Sequence, residues 1–592
     1  MNDQTIKEEV SALPVWQKTL ALVLIGYILS VTVQRFAQCL TPWVAETDWK
    51  QWVWQYWRYH VEGAFPPGNV ITDYTFNAQP PLYHLLMSTL ARLFRPVVAA
   101  NIVNWIAWGA ALWACVFAVR RRTTVVVGLM VALLFVRDDL LHKFSMGGYP
   151  RSFGPTLTLL FLAAWLNGRH RLTLLVLVAA AGIYPSICVP CGLAYGLFTA
   201  ATTERTSLKG WLRPNLEVIA AGVVIGVVAQ LQSLTAPAWW GPVVWASEAG
   251  PELTAAGRTA WLPLGAFWPK VASYAFEPWN FTGALWKDAT IPWPEHVAQK
   301  IGAAAAAVAA VVVVVKGKRA PIPWQVVLVF ACAVFSFFLA RLLAFKLYLP
   351  HRMVQHTLPS IMFVGLGLLF FNAGMVLFRD KAKAVVFVLA ALVVPQFVVS
   401  GDGLGSSRYR SYAARAEIFT WIEKNTAIND QFAGYYSVLD EIPFFAVRPV
   451  YVNWKMAHPF RKGFFAEIER RTIEMYDAFY CTDLAQLLAF GKKNDVKWFV
   501  VNDTMFDTLE EGDSQLFEPT RGKILATIFL PRKPQGFALR DPPAAIVAFQ
   551  LGHIRVLSME KLEAYLSSSA TGPKTSPPNP LSEADEGEEK RR

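Results

Sequence analysis

Between Thr19 and Ser400 apolar residues come in long runs parted by short polar stretches. Neither the two-residue alternation of a half-buried strand nor the one-sided spacing of a surface helix organises them. A helix needs about 20 apolar residues to cross a bilayer core. Eleven runs are candidates: Thr19–Val33, Val97–Val119, Thr123–Val136, Phe153–Leu166, Leu172–Tyr184, Ile187–Thr202, Leu216–Leu234, Ile301–Val315, Val326–Ala344, Thr357–Phe378 and Ala384–Ser400. Several fall short of that length and must borrow flanking residues. The two runs around Tyr184 and Pro185 could equally be one long broken helix.

The polar breaks carry a second pattern. Arg120, Arg121 and Arg122 follow the second run, Arg169 and Arg171 the fourth, Arg205, Lys209 and Arg213 the sixth, Lys316, Lys318 and Arg319 the eighth, and Arg379, Lys381 and Lys383 the tenth. Basic loops stay in the cytoplasm. The alternation therefore predicts a multi-pass protein with a cytoplasmic N-terminus and an extracytoplasmic C-terminus. The outer face then holds residues 34–96, 137–151, 235–300 and everything after Gly401. The net charge of +12 comes from those short loops and asks for no nucleic acid partner.

Composition agrees. The chain of 592 residues is 54% hydrophobic and 17% charged, against about 25% charged in soluble domains. It holds 23 tryptophans, whose rings favour membrane interfaces. Six cysteines in such a length do not make a disulfide framework. Cys188 and Cys191 form a CxxC inside an apolar run, without a second pair, and read as structural. The run after Lys18 shows no cleavage pattern and reads as a retained anchor.

After Gly401 the pattern changes. "AARAEIFTWIEKNT" has helical spacing, "QFAGYYSV" and "RPVYVNW" read as short strands, Phe465 to Tyr480 as a charged helix, and "DLAQLLAFGKKNDVKWFVVND" as helix, turn and buried strand. Residues 401–567 are thus expected to form an α/β domain, and 568–592, nearly devoid of apolar residues, a disordered tail. No glycine-rich nucleotide fingerprint is present.

Candidate chemistry lies on the outer face. Glu46 and Asp48 precede Trp49, Trp52, Trp54 and Trp57, which read as an interfacial helix, with Thr47 or Asp48 as its cap. Residues 235–300 hold eight tryptophans with Glu248, Glu252, Glu277, Asp288 and Glu295 among them, a mixture that suits a carbohydrate, a lipid headgroup or a loop lying on the interface. Lys346, His351 and Arg352 put positive charge at the outer rim, against the cytoplasmic bias, and arginine binds phosphate through a planar fork. Arg151, in "GGYPRSFG", is a second phosphate candidate.

The acidic pair, "EGAFPPGN" and "NAQPPLYHLL" together resemble the first outer loop of GT-C glycosyltransferases, a group that includes oligosaccharyltransferase catalytic subunits, protein O-mannosyltransferases and aminoarabinose transferases. The resemblance implies a polytopic α-helical membrane protein of about eleven transmembrane helices, GT-C-like, with a C-terminal extracytoplasmic α/β domain. It implies an inverting transfer of a sugar from a polyprenyl-phosphate donor in the cell (inner) membrane of a bacterium. It places the catalytic acids on Glu46 and Asp48 and the turn typical of the family on Pro80, Pro81 and Leu82. Gln79, Tyr83 and His84 beside that turn become candidate substrate contacts. The second acidic motif falls on Asp138 and Asp139, as ligands for Mg²⁺ or Mn²⁺, and the carrier phosphate on Lys346, His351, Arg352 or Arg151. The first motif is ExD, and no WWDYG motif follows, so the acceptor stays open among glycan, lipid and protein. Two other classes fit the architecture: a transporter or flippase of lipid-linked glycans, and a non-catalytic membrane assembly protein of cell-envelope polysaccharide synthesis. The parity of the basic loops is directly testable. A reporter fused after Ser567 should be active only if exported; activity on the cytoplasmic side would reverse the assignment of every outer segment.

Overall fold

The computed structural model describes residues 13–138, 141, 145–203, 208–254, 257–259, 261–275, 297–318, 320–343, 347, 349–395, 409–508 and 516–571. Helices in the first part are α1 Val15–Cys39, α2 Trp49–Trp52, α3 Val70–Asn77, α4 Pro81–Leu93, α5 Pro96–Arg120, α6 Val125–Arg137, α7 Phe153–Leu166, α8 His170–Ile183, α9 Pro185–Thr202, α10 Leu208–Leu234, α11 Val297–Val315, α12 Trp324–Leu343, α13 Thr357–Phe378 and α14 Lys381–Val388. Each of the eleven apolar runs falls on a helix within the described residues, which leave out 396–400 of the last run. Among the described residues five helices are long and apolar enough to cross a membrane: α1, α5, α9, α12 and α13 with the turn before it. Shorter apolar helices complete the bundle. All of α7 except Leu160 is buried, so its continuous hydrophobicity faces protein on every side. Tyr184 sits between α8 and α9 at φ −150° and ψ 85°. Proline bars its predecessor from helical geometry, which makes two helices of this stretch.

The remainder is a mixed α/β unit. Its sheet has the order β3–β4–β6–β5, from β3 Gln431–Gly434, β4 Val496–Asn502, β5 Val547–Leu551 and β6 Ile554–Ser558. β3 runs parallel to β4, and the other pairs are antiparallel. Helices α15 Ala416–Asn425, α16 Lys462–Phe479, α17 Leu484–Lys493 and α18 Met559–Thr571 accompany it. Two strand expectations are corrected. "QFAGYYSV" is strand only to Gly434, whose φ of +114° turns the chain into a short helix, Tyr436–Leu439. "RPVYVNW" makes a single bridge, Val450 to Phe432, and Pro449 has no N–H to extend it. α18 runs to Thr571, past the expected domain end at 567; the tail after it lies outside the described residues. All six cysteines are free and buried.

The tryptophan stripe is where the structure departs most from expectation. Trp49 and Trp54 are fully buried, and no interfacial helix exists there. The chain from α1 forms a strand, β1 Val44–Glu46, that pairs antiparallel with β2 Tyr409–Ser411 at the start of the C-terminal domain. The Trp49 indole N–H donates to the Gly147 carbonyl at 2.6 Å, and its ring stands edge-on to Tyr409. Trp57 donates to the Phe444 carbonyl at 3.1 Å. The rings therefore pack the segment after α1 against the C-terminal α/β unit. Truncating a buried tryptophan costs about 3–5 kcal/mol. Trp49→Ala should lower the thermal stability of the purified protein by that order, whereas Trp16→Ala, on the exposed side of α1, should not; equal melting temperatures for both variants would contradict this role.

Candidate functional site

A cavity of about 970 Å³ opens between the helices and the C-terminal α/β unit. It has two unlike ends. Asp48, Gln51, Arg151, Arg258, Arg352 and His458 line the polar end. The other end is a groove along α8, α9 and α10, lined by Leu177, Val189, Leu193, Val218 and Ile225. Gly192, Gly196 and Gly222 also face this groove, and a Cβ at any of them would meet nothing.

Asp48 begins α2, yet its side chain makes no capping bond. Its carboxylate instead accepts from the Arg151 guanidinium at 2.5 Å and from the Gln51 amide at 3.1 Å. Arg151 also donates to the Tyr149 hydroxyl at 2.7 Å. The arginine reaches this point through a tight turn in which Gly147 and Gly148 take φ of +109° and +63°. A Cβ at Gly148 would collide with the backbone of Ala100 on α5, so only glycine allows so close an approach. Glu46 is fully buried and does not line the cavity. It accepts from the Asp48 backbone N–H at 2.5 Å and the Tyr149 hydroxyl at 3.3 Å, and so orients the turn that carries Asp48.

Arg352 lies in the turn before α13 and donates to the Gln355 side chain at 2.9 Å. Arg258 comes from the 235–300 segment and donates to Gln51 at 3.3 Å and to the Lys455 carbonyl at 3.4 Å. Burial depresses the Arg258 pKa; Asp48 and Asp440 oppose that shift, while Arg151 and Arg352 add to it. Three guanidinium groups thus share one space in which Asp48 is the cavity-lining carboxylate. Lys455 and Asp440 stand just behind them. Burial pushes Asp440 up to about 6 against the pull of Lys455 and Lys50. Burial and Lys50 push Lys455 down to about 8.

Other expected site residues fall elsewhere. His351 is not at the cavity wall, and burial beside Arg352 and Arg151 pushes its pKa down to about 3, so it supplies no charge for a phosphate. Gln79 donates to the Trp52 carbonyl at 3.1 Å and accepts from Tyr56; Tyr83 donates to the Gly148 carbonyl at 2.9 Å; His84 stands edge-on to Phe76. These three hold the loop beside the cavity without lining it. Asp139, Lys346 and the tryptophan-rich stretch 276–296 lie outside the described residues. Of the tryptophans before it, Trp240 is buried at the cavity, whereas Trp239, Trp245 and Trp268 are exposed. Asp138 accepts from the Leu141 N–H at 2.5 Å as a helix-end contact. Among the described residues no three His, Cys, Asp or Glu side chains converge. A divalent cation wants several hard oxygens at once, and Asp48 faces a guanidinium instead, so the described residues do not fit Mg²⁺ or Mn²⁺.

Sequence reading found Asp48, Arg151 and Arg352 but missed Arg258, Gln51, His458, Lys455 and Asp440. One signal was available: Arg258 is the single arginine in residues 235–300, on the expected topology an outer cation of the kind that singled out Arg352.

No family model and no curated protein matches the chain. Solved structures do. The apo oligosaccharyltransferase of Archaeoglobus fulgidus aligns at a TM-score of 0.48 with 10% identity, over 83% of this chain and 70% of that one. Its complex with Zn and sulfate aligns at 0.46 with 14% identity, over 82% and 68%. The archaeal oligosaccharyltransferase AglB from the same organism, in complex with an inhibitory peptide and a dolichol-phosphate, aligns at 0.46 with 12% identity, over 83% and 70%.

The charges behind the site carry a pH signature. A folded pKa of about 6 lies above the ordinary carboxylate value of about 4, so the fold holds the Asp440 proton more tightly than the unfolded chain does. That contribution to stability is complete below pH ~4 and is lost as pH rises to ~6. The melting temperature of wild type relative to Asp440→Asn should therefore climb as pH falls from 7 to 5. A constant difference across that range would contradict the burial of an ionisable Asp440.

Proposed function

We propose that the chain is a membrane glycosyltransferase that moves a sugar from a polyprenyl-phosphate donor to an acceptor, at the outer face where loops and C-terminal domain meet. The observation that carries this reading is the joining of a guanidinium cluster to an apolar groove in one cavity. Arg151, Arg258 and Arg352 together favour a multivalent anion, and each offers a planar fork matched to phosphate oxygens. The groove along α8–α10 offers an aliphatic chain a continuous apolar path past Gly192, Gly196 and Gly222. A phosphate esterified to a long apolar chain satisfies both ends at once.

On this reading Asp48 is the base. Its carboxylate takes the proton of the acceptor nucleophile as that atom bonds to the anomeric carbon from the side opposite the phosphate. The bond from anomeric carbon to phosphate oxygen breaks, its electron pair stays on the phosphate, and the guanidinium groups stabilise the growing charge. Glu46 positions Asp48 and does not touch substrate. The acceptor is a glycan, lipid or protein nucleophile.

Two substitutions separate the parts. Asp48→Asn keeps the bond to Gln51 and removes the charge; it should leave binding of polyprenyl phosphate intact and lower sugar transfer to a membrane extract by about 10²-fold or more. Gly192→Leu should fill the groove and weaken binding of polyprenyl phosphate instead. A flippase would move the lipid without releasing polyprenyl phosphate from the sugar, and an assembly protein would be indifferent to Asp48→Asn. Transfer within a few-fold of wild type in that variant would remove Asp48 from catalysis.

A further inference from the structure

One part of the cavity wall has no role in the chemistry above. Trp52, His458 and Phe460 form a ladder of near-parallel rings: Trp52 to His458 spans 5.6 Å at 9°, and His458 to Phe460 spans 5.4 Å at 4°. All three line the cavity, and so does Tyr74, whose ring centroid lies 6.4 Å from His458. The ladder is pinned from both sides. The Val244 N–H donates to the Phe460 carbonyl at 3.2 Å, and Val243 bridges Arg461. Trp52 comes from α2, directly after Gln51.

His458 is the odd member of this wall. The residue is 6% exposed, and its Nδ1 has no hydrogen-bond partner among the described residues. A buried polar nitrogen left without a partner is unfavourable. Burial and the charge of Arg258 push its pKa down to about 3, with Asp48 only partly opposing them. The ring is therefore neutral at physiological pH, with one N–H and one lone pair. It can neither shuttle a proton at that pH nor attract a phosphate. The phosphate already has three guanidinium groups, and an aliphatic chain has no use for a nitrogen. A hydroxyl both gives and accepts a hydrogen bond, which is the pattern a neutral imidazole matches. The flanking rings suit the apolar C–H faces of a pyranose.

We propose that His458, clamped between Trp52 and Phe460, is a specificity-determining contact of the transferred sugar and pairs with one of its hydroxyls. The inference rests on the reading that the cavity takes a polyprenyl-phosphate sugar. Rigid stacking fixes the nitrogen in space, so a sugar whose hydroxyl is epimerised or absent leaves that nitrogen buried and unpaired.

The experiment compares two probes, polyprenyl phosphate alone and a set of polyprenyl-phosphate hexoses differing at single hydroxyls, on wild type, His458→Phe and His458→Gln. His458→Phe keeps a ring in the ladder and removes both nitrogens; His458→Gln returns a donor and an acceptor without the ring. The expected result is that His458→Phe binds polyprenyl phosphate within about two-fold of wild type, binds the preferred sugar donor about 10-fold more weakly, and loses the preference among hexoses. His458→Gln should recover part of that preference. Equal loss for both probes would make His458 a support of the wall, and unchanged preference in His458→Phe would also overturn the proposal. Wild type that fails to bind polyprenyl phosphate would remove the reading of the cavity itself, and this inference with it.

Discussion

Glu441 lies between two cations, Lys50 at 3.0 Å and Arg415 at 2.9 Å, and Lys50 and Glu441 are almost wholly buried. Taking such charges out of water is costly, and removing one partner of a buried pair costs about 3–5 kcal/mol because the other is stranded. The group therefore tolerates little displacement. Its geometric consequence is larger than any net stabilisation. Lys50 belongs to the segment after α1, whereas Glu441 and Arg415 belong to the C-terminal α/β unit. The ion group, the β1–β2 pairing and the rings around Trp49 together fix how the two parts meet. Asp48 and Gln51 flank Lys50, so the carboxylate at the polar end of the cavity is placed by a contact made outside it.

The cavity itself is assembled by convergence. Asp48 and Gln51 come from the segment after α1, Arg151 from the Gly147–Gly148 turn, Arg258 from residues 235–300, Arg352 from the turn before α13 and His458 from the α/β unit. No short stretch contains the site. Three guanidinium groups gathered in one place repel one another, and Arg151 and Arg352 add to the depression that burial imposes on the Arg258 pKa. An anion would relieve that repulsion, and on the proposed reading that anion is the donor phosphate. The apolar groove then decides what such a phosphate should be attached to.

How much of this was legible in the sequence follows from which features are local. Hydrophobic runs are local, and α7 and α13 coincide with their expected bounds at both ends. Local signals also named two arginines: Arg352 for a positive charge against the expected charge bias, and Arg151 for the two glycines just before it. The tryptophans after Asp48 were misread because an indole ring serves a lipid interface and a protein interface equally well. The partners that decide between them, Tyr409 and Phe444, lie more than 350 residues along the chain. Gln79, Tyr83 and His84 were read from a motif, but side-chain direction on and before α4 turns them to Trp52, Gly148 and Phe76. His458 carries no sequence signal, because its meaning lies in the rings stacked on both faces.

Arg151 links the two halves of the proposed chemistry. One nitrogen of its guanidinium serves both the Asp48 carboxylate and the Tyr149 hydroxyl. The group has five N–H donors in a rigid plane. It can therefore hold the carboxylate with one part and a phosphate oxygen with another, and the plane then fixes the distance between base and leaving group. A lysine at this position would carry the same charge but only a point contact on a flexible stem. The glycines before it serve the same end, since the approach of the turn to Ala100 leaves the arginine little freedom to swing away. In a reaction that depends on the placement of a base to about an ångström, a single planar cation that touches both carboxylate and phosphate does work that two independent residues would do less rigidly.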